Sequence, residues 1–213
     1  NSEYAEKFLL DCCAATTEII FSLIKMMDIP VTKKIADCIY LGLSTDTGCF
    51  KYANTTSASH RIAAELIDLG ADHATVNKIF FDTKTKSYAK LEKMALEGLE
   101  MHFDDRCAII CVTKEMLEKS KATPDDCAKL SPLTRQIEGV MVGVTLKEQD
   151  KGVFKASVRT REGINASDLC SRLGGGGHAQ AAGCTLNGSL EESKKMLLDI
   201  IEETLDDWDN IDK

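Results

Sequence analysis

From Gly174 to Gly183 the chain reads Gly-Gly-Gly-Gly-His-Ala-Gln-Ala-Ala-Gly, ten residues with very little side-chain bulk. Consecutive glycines permit positive φ, expose backbone N–H groups, and let another backbone or a phosphate come close to the main chain. A flexible connector is the bland alternative. It fits poorly here, because the run lies between a helical pattern, Asn165 to Leu173, and small residues suited to tight packing. Gly174, Gly175, Gly176 and Gly177 are therefore expected to form a folded substrate-gripping loop, with His178 as a donor or proton carrier.

The pattern on either side changes character along the chain. Ala14 to Met27 carries Ile19, Ile20, Leu23, Ile24 and Met27 at helical spacing, with Pro30 just beyond. Ile35 to Leu43 is apolar and leads into Ser44-Thr45-Asp46-Thr47-Gly48, which reads as a turn bearing Asp46. Ser57 to Gly70 is helical, and Asp72 caps a short helix. Ser87 to His102 reads as one longer amphipathic helix that could join two domains.

Beyond it, 107–112, 139–146 and 154–159 are short β-rich runs, with Asp150-Lys151-Gly152 as a hairpin signal. Gly183 to Leu186 suits a last strand, and Ser189 to Leu205 a closing helix. The expected fold class is α/β in two lobes: a mostly helical lobe at 1–84, a connecting helix at 85–103, and an α/β domain with a mixed sheet at 104–213.

Charge narrows the partners. With 26 basic and 34 acidic side chains the net charge is −8, which disfavours duplex DNA or any long phosphate backbone. A short phosphate ligand held by local arginines is compatible with it. Arg159, at the end of a strand, and Arg135, before the run at Gly139, are the candidates for bidentate contacts, although from position alone Arg135, like Arg161, reads better as a solvated charge. The nine cysteines contain no CxxC pair, so they read as small hydrophobes in a reducing cytoplasm rather than a zinc site or disulfide framework. No apolar run approaches the ~20 residues needed to cross a bilayer, so no membrane partner is expected.

Asp46 alone reads as an Asx-type turn before a glycine. Its context changes that. Tyr40-Leu41-Gly42-Leu43-Ser44-Thr45-Asp46-Thr47-Gly48-Cys49-Phe50, with Asn54-Thr55 after it, resembles the fourth motif of the DHH-family phosphoesterases. Ser157-Val158-Arg159-Thr160 and Gly174 to Gly183 resemble the signature of their DHH-associated C-terminal domain. The nearest subfamily is that of bacterial oligoribonucleotide and phosphoadenosine-phosphate phosphatases, some of which cleave cyclic or linear diadenylates.

The resemblance implies an N-terminal lobe holding two Mn²⁺ ions and a C-terminal lobe that binds the nucleotide. Asp46 would then be a metal ligand, Arg159 a phosphate or base contact, and Gly174 to His178 the nucleotide loop. The family's other metal motifs, including the Asp-His-His triplet, are expected just before this chain's first residues. The chain is accordingly expected to bind nucleotide and to be inactive alone, with a homodimer possible in the complete protein. The alternative is a non-catalytic nucleotide- or RNA-binding module, since similar glycine-rich domains occur in alanyl-tRNA synthetases. A manganese pyrophosphatase is excluded by the glycine-histidine run, and a structural protein explains neither motif.

Overall fold

The computed structural model describes residues 13–211, and the chain divides into two compact units between Thr83 and Lys84. The first unit comprises α1 (Thr16–Met26), α2 (Lys33–Asp46), α3 (Ser57–Asp68) and α4 (His73–Asn77), followed by a π-helical turn at Lys78–Asp82. Side-chain oxygens begin α2, α3 and α4: Thr32 accepts from the Ile35 N–H, Thr56 and Ser59 form a reciprocal capping box, and Asp72 accepts from the Thr75 N–H. Phe21, Ile39, Tyr40, Leu43 and Leu66 form its core. The buried Glu18 carboxylate ties α1 to α3 by accepting from Ser59 Oγ at 2.6 Å.

The second unit runs α5 (Lys86–Glu97), β1 (Glu100–His102), β2 (Cys107–Val112), α6 (Lys114–Ser120), a 3₁₀ turn (Pro124–Leu130), α7 (Ser131–Arg135), β3 (Val142–Asp150), β4 (Val153–Thr160), α8 (Ala166–Ser171), β5 (Gly176–His178), β6 (Ala181–Asn187) and α9 (Leu190–Ile211). Its six strands form a mixed sheet in the order β1-β2-β3-β4-β6-β5. Only β2 and β3 are parallel, joined by the crossover through α6, the 3₁₀ turn and α7; every other pair is antiparallel.

The helix expected over Ser87 to His102 is shorter than its pattern suggested. Gly98 ends α5, and after Leu99 the residues Glu100–His102 pair with β2 as an edge strand. Glycine relieves the helix at that point, and Met101 then gains a ladder with Ala108.

The two faces of this sheet are covered differently. One carries Ile109, Val144, Leu146, Ala156, Val158, Cys184 and Leu186 against Leu169 of α8 and Leu197, Ile201 and Leu205 of α9. On the other, Ile110 and Val112 pack under Tyr88, Leu91, Ala95, Cys127 and Leu130 from α5 and the 3₁₀ turn. That cover serves the β2 side. Along β4, β6 and β5 the same face leaves Lys155, Thr185, Gly176 and His178 exposed.

Candidate functional site on the open half of the sheet

Strand register determines what this open surface displays. Directly paired residues share a face, so His178, Ala181, Arg159 and Gly143 form one row, and Gly176, Gly183, Ser157 and Thr145 the next. The floor is therefore almost bare backbone, with Arg159 and His178 rising from it. A Cβ on Gly183 would lie 2.8 Å from the Ala156 carbonyl, so glycine there permits the close approach of β4 and β6. Gly143 lies under α7: a Cβ would lie 2.3 Å from Thr134 Oγ1 and 3.0 Å from the Arg135 nitrogen. That contact seats α7 at the end of the Arg159 row and places Arg135 beside it.

The glycine run is not the continuous loop expected from its composition. Gly174 has φ of +73° and turns the chain back at the end of α8, where its N–H donates to Ser171 O and that of Gly175 donates to Cys170 O at 2.9 Å. Gly176 to His178 then pair with β6 as a sheet edge. With no side chains to set a β pattern, only that pairing reveals the strand.

The four glycines also have separate structural demands. A Cβ on Gly175 would fall 2.2 Å from Gly183 O and 2.6 Å from Cys184 Cβ, and one on Gly177 2.6 Å from Ala181 O. Gly174 meets no neighbour but needs its positive φ. Gly176 has neither constraint: its φ is ordinary and a Cβ would project into open space. Nothing within the chain requires a glycine at position 176.

Beneath the run, Cys170 and Cys184 are buried side by side. A hydrogen bond with Cys184 and burial hold the Cys170 thiol far above its ordinary range, so it serves as a neutral packing group. Cys107 is likewise pushed up to about 12 by burial. The expectation of cysteines as core residues fits Cys107, Cys127, Cys170 and Cys184, whereas Cys38 is exposed.

At the end of β4, Arg135, Arg161, Glu162 and Gln180 line an open cleft of about 500 Å³. Gln180 belongs to the turn joining β5 to β6, and its carbonyl accepts from the Thr160 N–H at 3.3 Å. Arg161, read from sequence as a solvated charge at a strand end, lines this cleft. Its ordering comes from distant backbone: its N–H donates to Met141 O, and its guanidinium to Ile137 O at 3.2 Å.

Asp46 lies in the first unit, as the last residue of α2 rather than on the turn expected after the apolar segment Ile35 to Leu43. Helix extends through the polar cluster because Ser44 and Thr45 return their hydroxyls to Leu41 O. Left-handed Gly48, Cys49 and Phe50 then reverse the chain, and Asn54 donates to the Asp46 carbonyl at 3.2 Å. The Asp46 side chain is exposed. Among the described residues no three His, Cys, Asp or Glu side chains gather into a metal-holding group. By themselves they do not fit a two-manganese centre. The Asp-His-His triplet, expected ahead of Asn1, is not among the 213 residues of this sequence.

Comparisons with known proteins give this geometry a context. Residues 106–207 match the DHHA1 domain family. The chain is 35% identical over 194 residues to a bifunctional oligoribonuclease and PAP phosphatase NrnA of Thermus thermophilus, covering 90% of this chain and 57% of the relative. Its identity to the Bacillus subtilis protein of the same description is 29% over 173 residues, covering 81% and 53%. Among solved structures, an exopolyphosphatase-related protein from Bacteroides fragilis superposes with a TM-score of 0.83 at 29% identity, covering 90% of this chain and 57% of that one. The chain thus spans little more than half the length of these relatives.

Proposed function

Because this chain carries a DHHA1 domain and resembles the DHH-family oligoribonuclease and PAP phosphatases, we propose that its second unit binds a short nucleotide, with a phosphate on the open half of the sheet. The observation that carries this reading is Gly176. A glycine free of any internal demand, on an exposed strand beside Arg159 and His178, suits a surface that a ligand approaches at backbone distance. Arg159 supplies charge for the phosphate, His178 a donor, and the Gly183, Ala181 and Ser157 floor room for a base or ribose. Local positive charge from Lys155 and Arg159 favours a small anion despite the overall −8.

Phosphoadenosine phosphate, short oligoribonucleotides and linear or cyclic diadenylates are the ligands that resemblance suggests. Manganese-dependent hydrolysis of such a nucleotide remains our proposal for the whole activity; the described residues supply its binding step. Calorimetric titration of the 213-residue chain with linear diadenylate is the test. Saturable binding is expected, and Arg159→Ala should weaken it by roughly 10- to 150-fold, corresponding to the ~1.5–3 kcal/mol of a hydrogen bond to a charged group. Equal affinity in the variant would contradict the role given to Arg159.

A non-catalytic nucleotide- or RNA-binding module is the second reading. Asp46 standing apart from any metal-holding group among the described residues favours it. Hydrolysis of the titrated diadenylate by this chain with Mn²⁺ would rule that reading out.

A further inference from the structure

Burial raises the thiols of Cys107, Cys111 and Cys127, and a protonated thiol is a poor nucleophile. Cys170 and Cys184 differ in having each other. Cys170 lies in the last turn of α8 and Cys184 in β6, and a hydrogen bond joins the two thiols inside the core. It acts on them in opposite senses: Cys170 keeps its proton, and the bond that it donates lowers the Cys184 thiol against the opposing effect of burial. One sulfur is thereby prepared to attack and the other to follow, the division of labour by which a thiol is oxidised and then resolved by its neighbour.

The surroundings of the pair tie it to the open face. Gly175 touches both members: its N–H donates to Cys170 O at 2.9 Å, and a Cβ on it would lie 2.6 Å from Cys184 Cβ. Between the two cysteines the chain runs from Ser171 to Gly183 and contains the whole glycine run, His178 and Gln180. A bond between the sulfurs would close a ring around that segment. Access is narrow but open: Cys184 is 4% exposed, and what lies against it is the half-buried Gly175, which has no side chain to cover it. An oxidant of two oxygen atoms suits such a gap.

We infer that Cys170 and Cys184 are a dithiol oxidised by hydrogen peroxide, and that the resulting disulfide loosens the hold of the open face on its nucleotide. The second half of this inference rests on the proposed nucleotide site. In the first step the Cys184 thiolate attacks one peroxide oxygen; the S–O bond forms as the O–O bond breaks, leaving a sulfenic acid and, with the proton that Cys184 released, one water. Cys170 sulfur then attacks Cys184 sulfur; the S–S bond forms, the S–O bond breaks, and hydroxide leaves with the Cys170 proton as a second water. Each sulfur gives up one electron, and the peroxide takes both. The sulfurs must close from hydrogen-bonding contact to the ~2.0 Å of a disulfide, which draws the end of α8 towards β6. Gly175 has no slack to absorb that movement, since Gly183 O lies 2.2 Å from where its Cβ would be, so the glycine run is displaced instead.

The test uses the 213-residue chain with its exposed Cys38 replaced, Cys38→Ser, to prevent bonding between copies. After hydrogen peroxide, trypsin under denaturing, non-reducing conditions cuts behind Arg172, between the two cysteines, so their peptides stay together only through a disulfide. The linked pair is expected, about 2 Da lighter than its two peptides, and dithiothreitol should separate it. Adding Cys170→Ser should instead leave a sulfenic acid on Cys184 that dimedone traps. The linked chain should bind linear diadenylate about tenfold more weakly than the reduced chain, the worth of one lost hydrogen bond to a charged group, and recover on reduction. Cys170→Ala/Cys184→Ala should bind equally before and after peroxide. Absence of the linked pair, bonding of either cysteine to a different one, or unchanged affinity in the linked chain overturns the inference. Failure of the reduced chain to bind the diadenylate overturns the nucleotide site and the second half with it, while the linked peptides still decide the dithiol.

Discussion

Gly176→Val is expected to weaken binding of linear diadenylate by about a hundredfold, or about 2.7 kcal/mol, while leaving stability nearly unchanged. The reasoning combines two facts about one position. A Cβ at 176 meets nothing within 4 Å and the backbone needs no positive φ, so a β-branched residue suits this exposed edge strand. The same open space is where the phosphate and its sugar are proposed to approach. Isopropyl bulk there would hold the ligand away from the N–H groups and from Arg159. Calorimetry gives the affinity and urea unfolding the stability; undiminished binding would mean that the open space is not ligand space.

Gly175→Ala should do the reverse. Its new methyl would sit 2.2 Å from Gly183 O and 2.6 Å from Cys184 Cβ, distances that backbone and core must move to relieve. Overpacking of this kind costs about 1–3 kcal/mol and occasionally more. The site is unforgiving because the Gly175 N–H is also bound to Cys170 O, anchoring the end of α8, and the obstructing oxygen belongs to β6. Denaturant unfolding followed by Trp208, the chain's single tryptophan and a residue of α9, reports on this unit. An unfolding midpoint equal to that of the unsubstituted chain would contradict the packing account. Together the two substitutions separate glycines that hold the fold from the one that faces outward.

Much of this arrangement could be read from the residues because local and global preferences agree. Asp72 caps the short helix expected after it, helices begin within a residue of the starts expected at Ser57 and Asn165, and Gly152, at φ of +75°, forms the hairpin that Asp150-Lys151-Gly152 signalled. The α/β class followed from the change to β-branched runs after residue 106. Other elements left little trace. Neither Glu100–His102 nor Gly176–His178 is long enough to show alternation, and each exists because a longer neighbour offers a ladder. Glycine tetrads carry no strand propensity, so the run read as a loop.

The site was legible to a different extent. Arg159, His178 and the glycines were singled out from sequence, and register now places Arg159 and His178 in one row with Ala181 between them. Arg161 was set aside because an arginine at a strand end is usually a solvated charge; its partners lie about twenty residues away in the chain. Asp46 was assigned to a turn because Ser-Thr-Asp-Thr-Gly is rich in turn formers. Hydroxyls bonded back to the preceding helical turn allowed α2 to continue through them instead.

The most direct test of the account is amide chemical-shift mapping of this 23.3 kDa chain during titration with linear diadenylate. Saturable shifts should concentrate at Ser157, Arg159, Gly176, Gly177, His178 and Ala181, with Leu197 and Ile201 on the covered face unmoved. Shifts confined to α8 and α9, or none at saturating ligand, would contradict the placement of the nucleotide on the open half of the sheet.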